Sequence, residues 1–178
     1  METLSKIFLQ SAIKRVKYYK DLADKTFAQL EDKDFYYQPD ESSNSLAVII
    51  QHVSGNMLSR WTNFLTEDGE KSWRNRDTEF NDQHYSKAEL LNIWEKGWSC
   101  FLDALENLGE RDLLKTIYIR SEPLIVTDAI NRQLAHYPHH VGQIIYIGKM
   151  LRGDKWKSLS IEKGKSDDFN KEMNKKFN

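Results

Sequence analysis

His136 and His140 stand four residues apart in the segment Leu134-Ala135-His136-Tyr137-Pro138-His139-His140-Val141-Gly142-Gln143. In a helix, residues at that spacing lie about 40° apart around the axis and about 6 Å along it, so both imidazoles can aim at one point. This is the geometry of a two-histidine metal clamp, and it is also that of two solvated surface histidines. The pair falls between apolar Leu134, Val141, Ile144 and Ile145 and polar Arg132, Gln133 and Gln143, at the border of a core stripe. Pro138, between the two, removes a backbone donor and leaves the Leu134 carbonyl without its usual partner. Such a defect either marks a functional site or merely kinks the helix.

His52 is the natural third ligand, because it adjoins Ile49 and Val53 on the flank of a second apolar stripe, with Asn56 one turn along the same track. A lone histidine there also serves as a hydrogen-bonded core residue. Joined to His136 and His140, it completes a three-histidine set that leaves coordination positions open for water or substrate. His139 should point about a hundred degrees away from the pair and is the weaker ligand. His84 reads as a surface residue.

The elements that must position these side chains are helices. Three prolines and eight glycines leave long breaker-free stretches with helical periodicity, which predicts an all-α four-helix bundle. The first helix runs from about Leu4 to Leu30. The second follows the capping cluster Glu41 to Ser45 and reaches about Leu65, with Leu46, Ile49, Ile50, Val53, Met57, Trp61 and Phe64 as its core stripe. Ser86 and Glu89 form a capping-box pattern for a third helix reaching about Leu108, and Thr127 is the expected N-cap of a fourth, ended near Leu151 by Gly153. The alternating run from Lys115 to Val126 predicts a short hairpin turning at Ser121, Glu122 and Pro123. The link of about 20 residues between helices two and three is long enough to cross a bundle, and its Trp73, Arg74, Arg76 and Phe80 suggest an ordered loop packed on it. Residues 1–152 are expected to form the bundle, and 153–178 a charged tail with a brief helix capped by Ser166.

The 26 basic and 27 acidic residues are interspersed, which gives no electrostatic reason to expect nucleic acid or an anionic membrane as partner. No run of about 18 apolar residues occurs, and Met1 to Lys14 does not read as a signal peptide. The single cysteine, Cys100, suits a reducing compartment, so a cytoplasmic protein is expected. Cys100 shares a face with Ile93, Gly97 and Ala104, a stripe suited to close helix packing, and reads as structural.

A histidine early in the second helix (Ile49-Ile50-Gln51-His52-Val53-Ser54-Gly55-Asn56) followed by a distant His-x-x-x-His early in the fourth resembles the DinB-like, YfiT-like group of metal-dependent four-helix bundles. The likeness spans about residues 1–152. The stretch from Asn56 to Phe80, with Ser59-Arg60-Trp61, Asp68-Gly69-Glu70 and Trp73-Arg74-Asn75-Arg76-Asp77, further resembles a Bacillus-type subgroup of unassigned function. The resemblance implies an up-down-down-up path, assembly as a homodimer, and a divalent ion, zinc or nickel, held by His52, His136 and His140. It also implies a thiol S-transferase using a low-molecular-weight thiol such as bacillithiol against an electrophile, with the thiol bound at the ion as thiolate. Arg60, Arg74 and Arg76 either receive a carboxylate of that thiol or pair with Asp68, Glu70 or Asp77. The rival reading is a noncatalytic, metal-stabilised structural or regulatory dimer, associating through an aromatic surface around Trp61, Trp73, Trp94 and Trp98.

Overall fold

Side chains that recur every three or four residues need helices to bring them to one face, and local chemistry starts and stops each helix. The structure, a computed structural model, describes residues 2–81 and 84–177. Thr3 caps α1 (Leu4–Phe27), its side chain accepting from the Lys6 N–H. Ser45 caps α2 (Leu46–Trp61) in the same way through the Val48 N–H. Ser86 and Glu89 close the expected capping box at the start of α3 (Lys87–Glu106), with the Glu89 carboxylate accepting from the Ser86 N–H at 2.7 Å. The fourth helix, α4 (Val126–Arg152), contains Pro138 and stops at Gly153, whose φ of 51° lies in the left-handed region. A fifth, α5 (Ser166–Phe177), is exposed along its length. Among the described residues no helix is long and apolar enough to cross a membrane.

Several boundaries differ from the sequence expectation, among them the end of α3 at Glu106 rather than Leu108 and the start of α5 at Ser166 itself, which was expected to cap it. The first helix ends at Phe27 rather than Leu30. The second ends at Trp61 rather than Leu65, and the chain turns through Asn63 at a φ of 49°. Thr127 does not cap α4: the cap position is Ile125, and the Thr127 hydroxyl instead donates to the Leu113 carbonyl at 2.8 Å.

The hairpin is present as β1 (Thr116–Ile119) and β2 (Glu122–Ile125), antiparallel, with Tyr118 opposite Pro123. Its turn lies one position earlier than expected, at Arg120 and Ser121, both at positive φ (55° and 63°), while Glu122 and Pro123 belong to the strand. The positive φ values match the twist of a two-residue hairpin. Asp68 anchors this turn, its carboxylate accepting from the Arg120 and Ser121 N–H groups at 2.8 Å each.

In the core, α2 packs chiefly on α3 and α1 on α4. Ser54 lies against Gly97 and Trp61 against Phe101, so contacts advance along α2 and α3 together. Between α1 and α3 they run in opposite senses, with Phe27 against Trp94 and Lys17 paired with Glu106. Trp94, Trp98 and Phe101 are fully buried and Trp61 is 3% exposed, so these rings are core and do not form the expected association surface. Of the four tryptophans in that expectation only Trp73, 59% exposed, faces solvent. A Cβ on Gly97 would stand 2.8 Å from the Ser54 Cα, a backbone atom that moves only with its helix. Gly97→Ala is therefore expected to destabilise the fold by about 1–3 kcal/mol in urea unfolding, through overpacking, despite alanine's better helix propensity.

Candidate metal centre

The apolar stripes of α2 and α4 face each other, and the histidines at their borders meet. His52, His136 and His140 each offer a ring nitrogen within 4.8 Å of the others, with His52 buried and the other two partly buried. Each Nδ1 has a partner on the outside: Glu79 Oε2 for His52 at 3.1 Å, Gln133 Oε1 for His136 at 3.3 Å, and Gln143 Oε1 for His140 at 2.8 Å. These partners are acceptors, so they favour the tautomer in which each Nδ1 donates and each Nε2 keeps a lone pair. The Nε2 atoms of His136 and His140 lie 3.1 Å apart. Two lone pairs at that separation repel unless a cation or proton lies between them. Imidazole nitrogens about 2.0–2.1 Å from a tetrahedral zinc ion stand about 3.3 Å from each other, close to what is seen. The donor set therefore fits a divalent ion, with an outer layer of one carboxylate and two carboxamides fixing the tautomers.

Glu79 comes from a short 3₁₀ turn, Asp77–Phe80, in the loop between α2 and α3. Arg74 grips it from the other side, Nε to Oε1 at 2.7 Å and Nη2 to Oε2 at 2.9 Å, and the Arg74 and Glu79 side chains are only 3% and 10% exposed. Burial works to raise the Glu79 carboxyl, but the His52 N–H and the Arg74 guanidinium outweigh it and hold the group below the ordinary carboxylate range. Gly55 makes this approach possible: a Cβ there would fall 2.2 Å from Glu79 Oε1. Phe80, from the same turn, stacks 5.1 Å from the His52 ring. The part of the loop from Arg74 to Phe80 thus packs against α2, as expected from its composition.

Glu79→Gln keeps the shape but substitutes a neutral amide for the charged acceptor. It is expected to weaken metal binding 10- to 100-fold, measured by competition with a chromophoric chelator.

Tyr137, between the histidines, is fully buried. Its hydroxyl donates to Asn56 Oδ1 at 3.1 Å and accepts from Trp61 Nε1 at 3.2 Å, which ties α4 to α2 beside the site. Of the other sequence candidates, His139 is exposed and takes a contact from Gln143 Nε2 at 3.3 Å, and it is not in the cluster. His84 is exposed. Cys100 is partly buried, 3.5 Å from the Thr62 hydroxyl. Arg60 pairs with Glu70 at 3.0 Å, one of the pairings weighed from sequence. Arg74 pairs with Glu79 instead of the acids weighed, and Arg76 lies 4.9 Å over the Phe80 ring.

Burial, then the neighbouring His140, His52 and Arg132, push His136 down to about 4. Burial also lowers His140, against the opposing hydrogen bond to Gln143. A histidine with a depressed folded pKa leaves the unfolded chain binding more protons between the two values. The stabilising contribution is therefore intact above about pH 6.5 and is lost as pH falls toward 4. Metal-free protein is expected to lose urea resistance steadily between pH 7 and pH 4.5. The slope should flatten in His136→Gln, and an equal slope in that variant would count against this origin.

The model of a family described as "Protein of unknown function (DUF1572)" matches residues 3–165. The chain belongs to this family. DUF1572 is a DinB-like family, which agrees with the resemblance carried by the histidine motifs, and the match ends before α5. No curated protein matches this DUF1572 chain, and no solved structure does.

Proposed function

We propose that this DUF1572 chain binds one divalent metal ion, zinc or nickel, through the Nε2 atoms of His52, His136 and His140, and that it acts as a metal-dependent thiol S-transferase. The observation that carries the metal reading is the convergence of one ring nitrogen from each of three histidines, with each Nδ1 against an outer oxygen acceptor. Bound there, a divalent ion supplies positive charge that lowers the pKa of a low-molecular-weight thiol such as bacillithiol. The chain's own residues do the rest. Glu79, Gln133 and Gln143 hold the imidazoles in one tautomer and one orientation, Phe80 shields one side of His52, and the buried Tyr137 hydroxyl fixes α4 against α2.

The DinB-like membership supports the transferase reading, as does the Bacillus-type pattern from Asn56 to Phe80, part of which builds the loop that supplies Glu79. An up-down-down-up path accords with the parallel advance of contacts between α2 and α3 and their long link. We further propose a cytoplasmic homodimer. Tyr146 and Met150 on α4, 72% and 46% exposed, support an association face, and light scattering should then give twice the chain mass of 21.0 kDa.

Conjugation of bacillithiol to an electrophilic probe, followed with and without a chelator, tests the activity. Turnover abolished by chelation and restored by zinc or nickel is expected. Equal rates in both would contradict metal-dependent transfer and leave the noncatalytic metal-stabilised dimer as the better account.

A further inference from the structure

Beside the histidines lies a second, chemically different space. A cavity of about 290 Å³ is lined by His52 and His136 and by five arginines, Arg60, Arg74, Arg76, Arg120 and Arg132. No carboxylate is among its lining residues. Glu70 serves both Arg60 and Arg120, Glu79 serves Arg74, and the exposed Glu122 is 3.8 Å from Arg132. Arg76 rests on the Phe80 ring, and among the described residues no carboxylate is paired with it. Asp68, whose carboxylate accepts from the Arg120 N–H and sits near enough to Arg60 to be lowered by it, adds a fourth acid, so five fixed positive charges face four negative ones, none of them lining the cavity.

Arginine cannot shed its proton to relieve this crowding. Burial works against the charge on Arg60, Glu70 favours it, and Arg74 and Arg120 oppose it. Arg60 is held nonetheless, 7% exposed, donating to the Gly69 carbonyl and to Glu70. Gln133 and Asn56, 2% and 9% exposed, add polar side chains at the cavity wall. A positively charged cavity with a buried floor at Arg60 and Gln133, a solvent-facing mouth and no acidic lining residue is a receptor for an anion, which arginine forks recognise bidentately.

We infer that this arginine-lined cavity binds the anionic end of a small substrate, a dicarboxylate or a phosphate monoester, whose other end lies at the three histidines. The placement of that reacting end rests on the metal reading above; the anion subsite does not, because no arginine is a metal ligand. The cavity is small, so it takes one end of a molecule and leaves the remainder directed toward His52 and His136.

The test titrates full-length protein, metal-free and zinc-loaded, with inorganic phosphate and with malonate, against chloride at equal ionic strength, reading affinity by calorimetry. The variant is Arg76→Ala with Arg132→Ala, both exposed side chains whose loss leaves the core untouched, and Arg15→Ala, exposed on α1, is the control. Both protein forms should bind one anion per chain, at least tenfold more weakly in the double variant and unchanged in the control. Tighter phosphate binding would identify a phosphate ester, and tighter malonate binding a carboxylate. Binding no tighter than chloride in either form, or binding only in the zinc-loaded form and insensitive to the double variant, would overturn the subsite. Anion binding in metal-free protein that fails to retain zinc would sink the metal reading alone.

Discussion

His136→Ala and His52→Ala, purified without a histidine tag and reconstituted with zinc or nickel, are each expected to bind the metal at least a hundredfold more weakly than the unaltered chain, or not at all. A hundredfold corresponds to about 2.7 kcal/mol, a modest figure for removing one of three imidazole ligands. His139→Ala is the discriminating control: it carries an equally available imidazole on the same helix, yet it lies outside the cluster and should leave affinity unchanged. Equal losses in His139→Ala and His136→Ala would point to nonspecific binding along α4 and contradict the site. Both cluster variants remove a polar ring from the edge of the core, so they should stay folded, and near-ultraviolet circular dichroism checks this directly.

Tyr137→Ala is expected to cost about 3–5 kcal/mol of stability in urea unfolding, the largest effect of any substitution near the site. The ring is fully buried, 5.1 Å from Phe101 and 6.0 Å from Trp98, so its removal leaves a cavity among large aromatic rings. Tyr137→Phe separates packing from polarity. It keeps the ring but strands Asn56 Oδ1 and Trp61 Nε1 in the interior, which should cost about 1–3 kcal/mol. A loss below about 1 kcal/mol for the alanine variant would mean that Tyr137 does not join α2, α3 and α4. Because His136 precedes it directly, the alanine variant should also weaken metal binding, whereas the phenylalanine variant should not.

The bundle and the three histidines were legible because both depend on short-range spacing. Ser45, Ser86 with Glu89, and Gly153 each mark a helix end by chemistry within a few residues. His136 and His140 share a face by helical arithmetic, and His52 borders the α2 stripe for the same reason. Glu79 was not legible. It lies in a polar link with no periodicity, and its role depends on a 3₁₀ turn that folds back on α2 through space opened by Gly55. Arg120 and Arg132 join Arg60, Arg74 and Arg76 only because the hairpin turn is anchored by Asp68 and α4 starts beside it, and no spacing in the sequence encodes that meeting. The rival reading placed an association surface around Trp61, Trp73, Trp94 and Trp98, but the helical periodicity that puts Trp61 on the core stripe of α2 holds, and Trp61, Trp94 and Trp98 are buried.

X-ray absorption at the metal edge of the zinc- or nickel-reconstituted chain tests the central claim most directly. Three convergent imidazoles predict one equivalent of metal with three nitrogen scatterers at about 2.0–2.1 Å and the outer-ring scattering of coordinated histidine. A shell of oxygen ligands without imidazole scattering, or a chain that retains no metal above background after reconstitution, would contradict it.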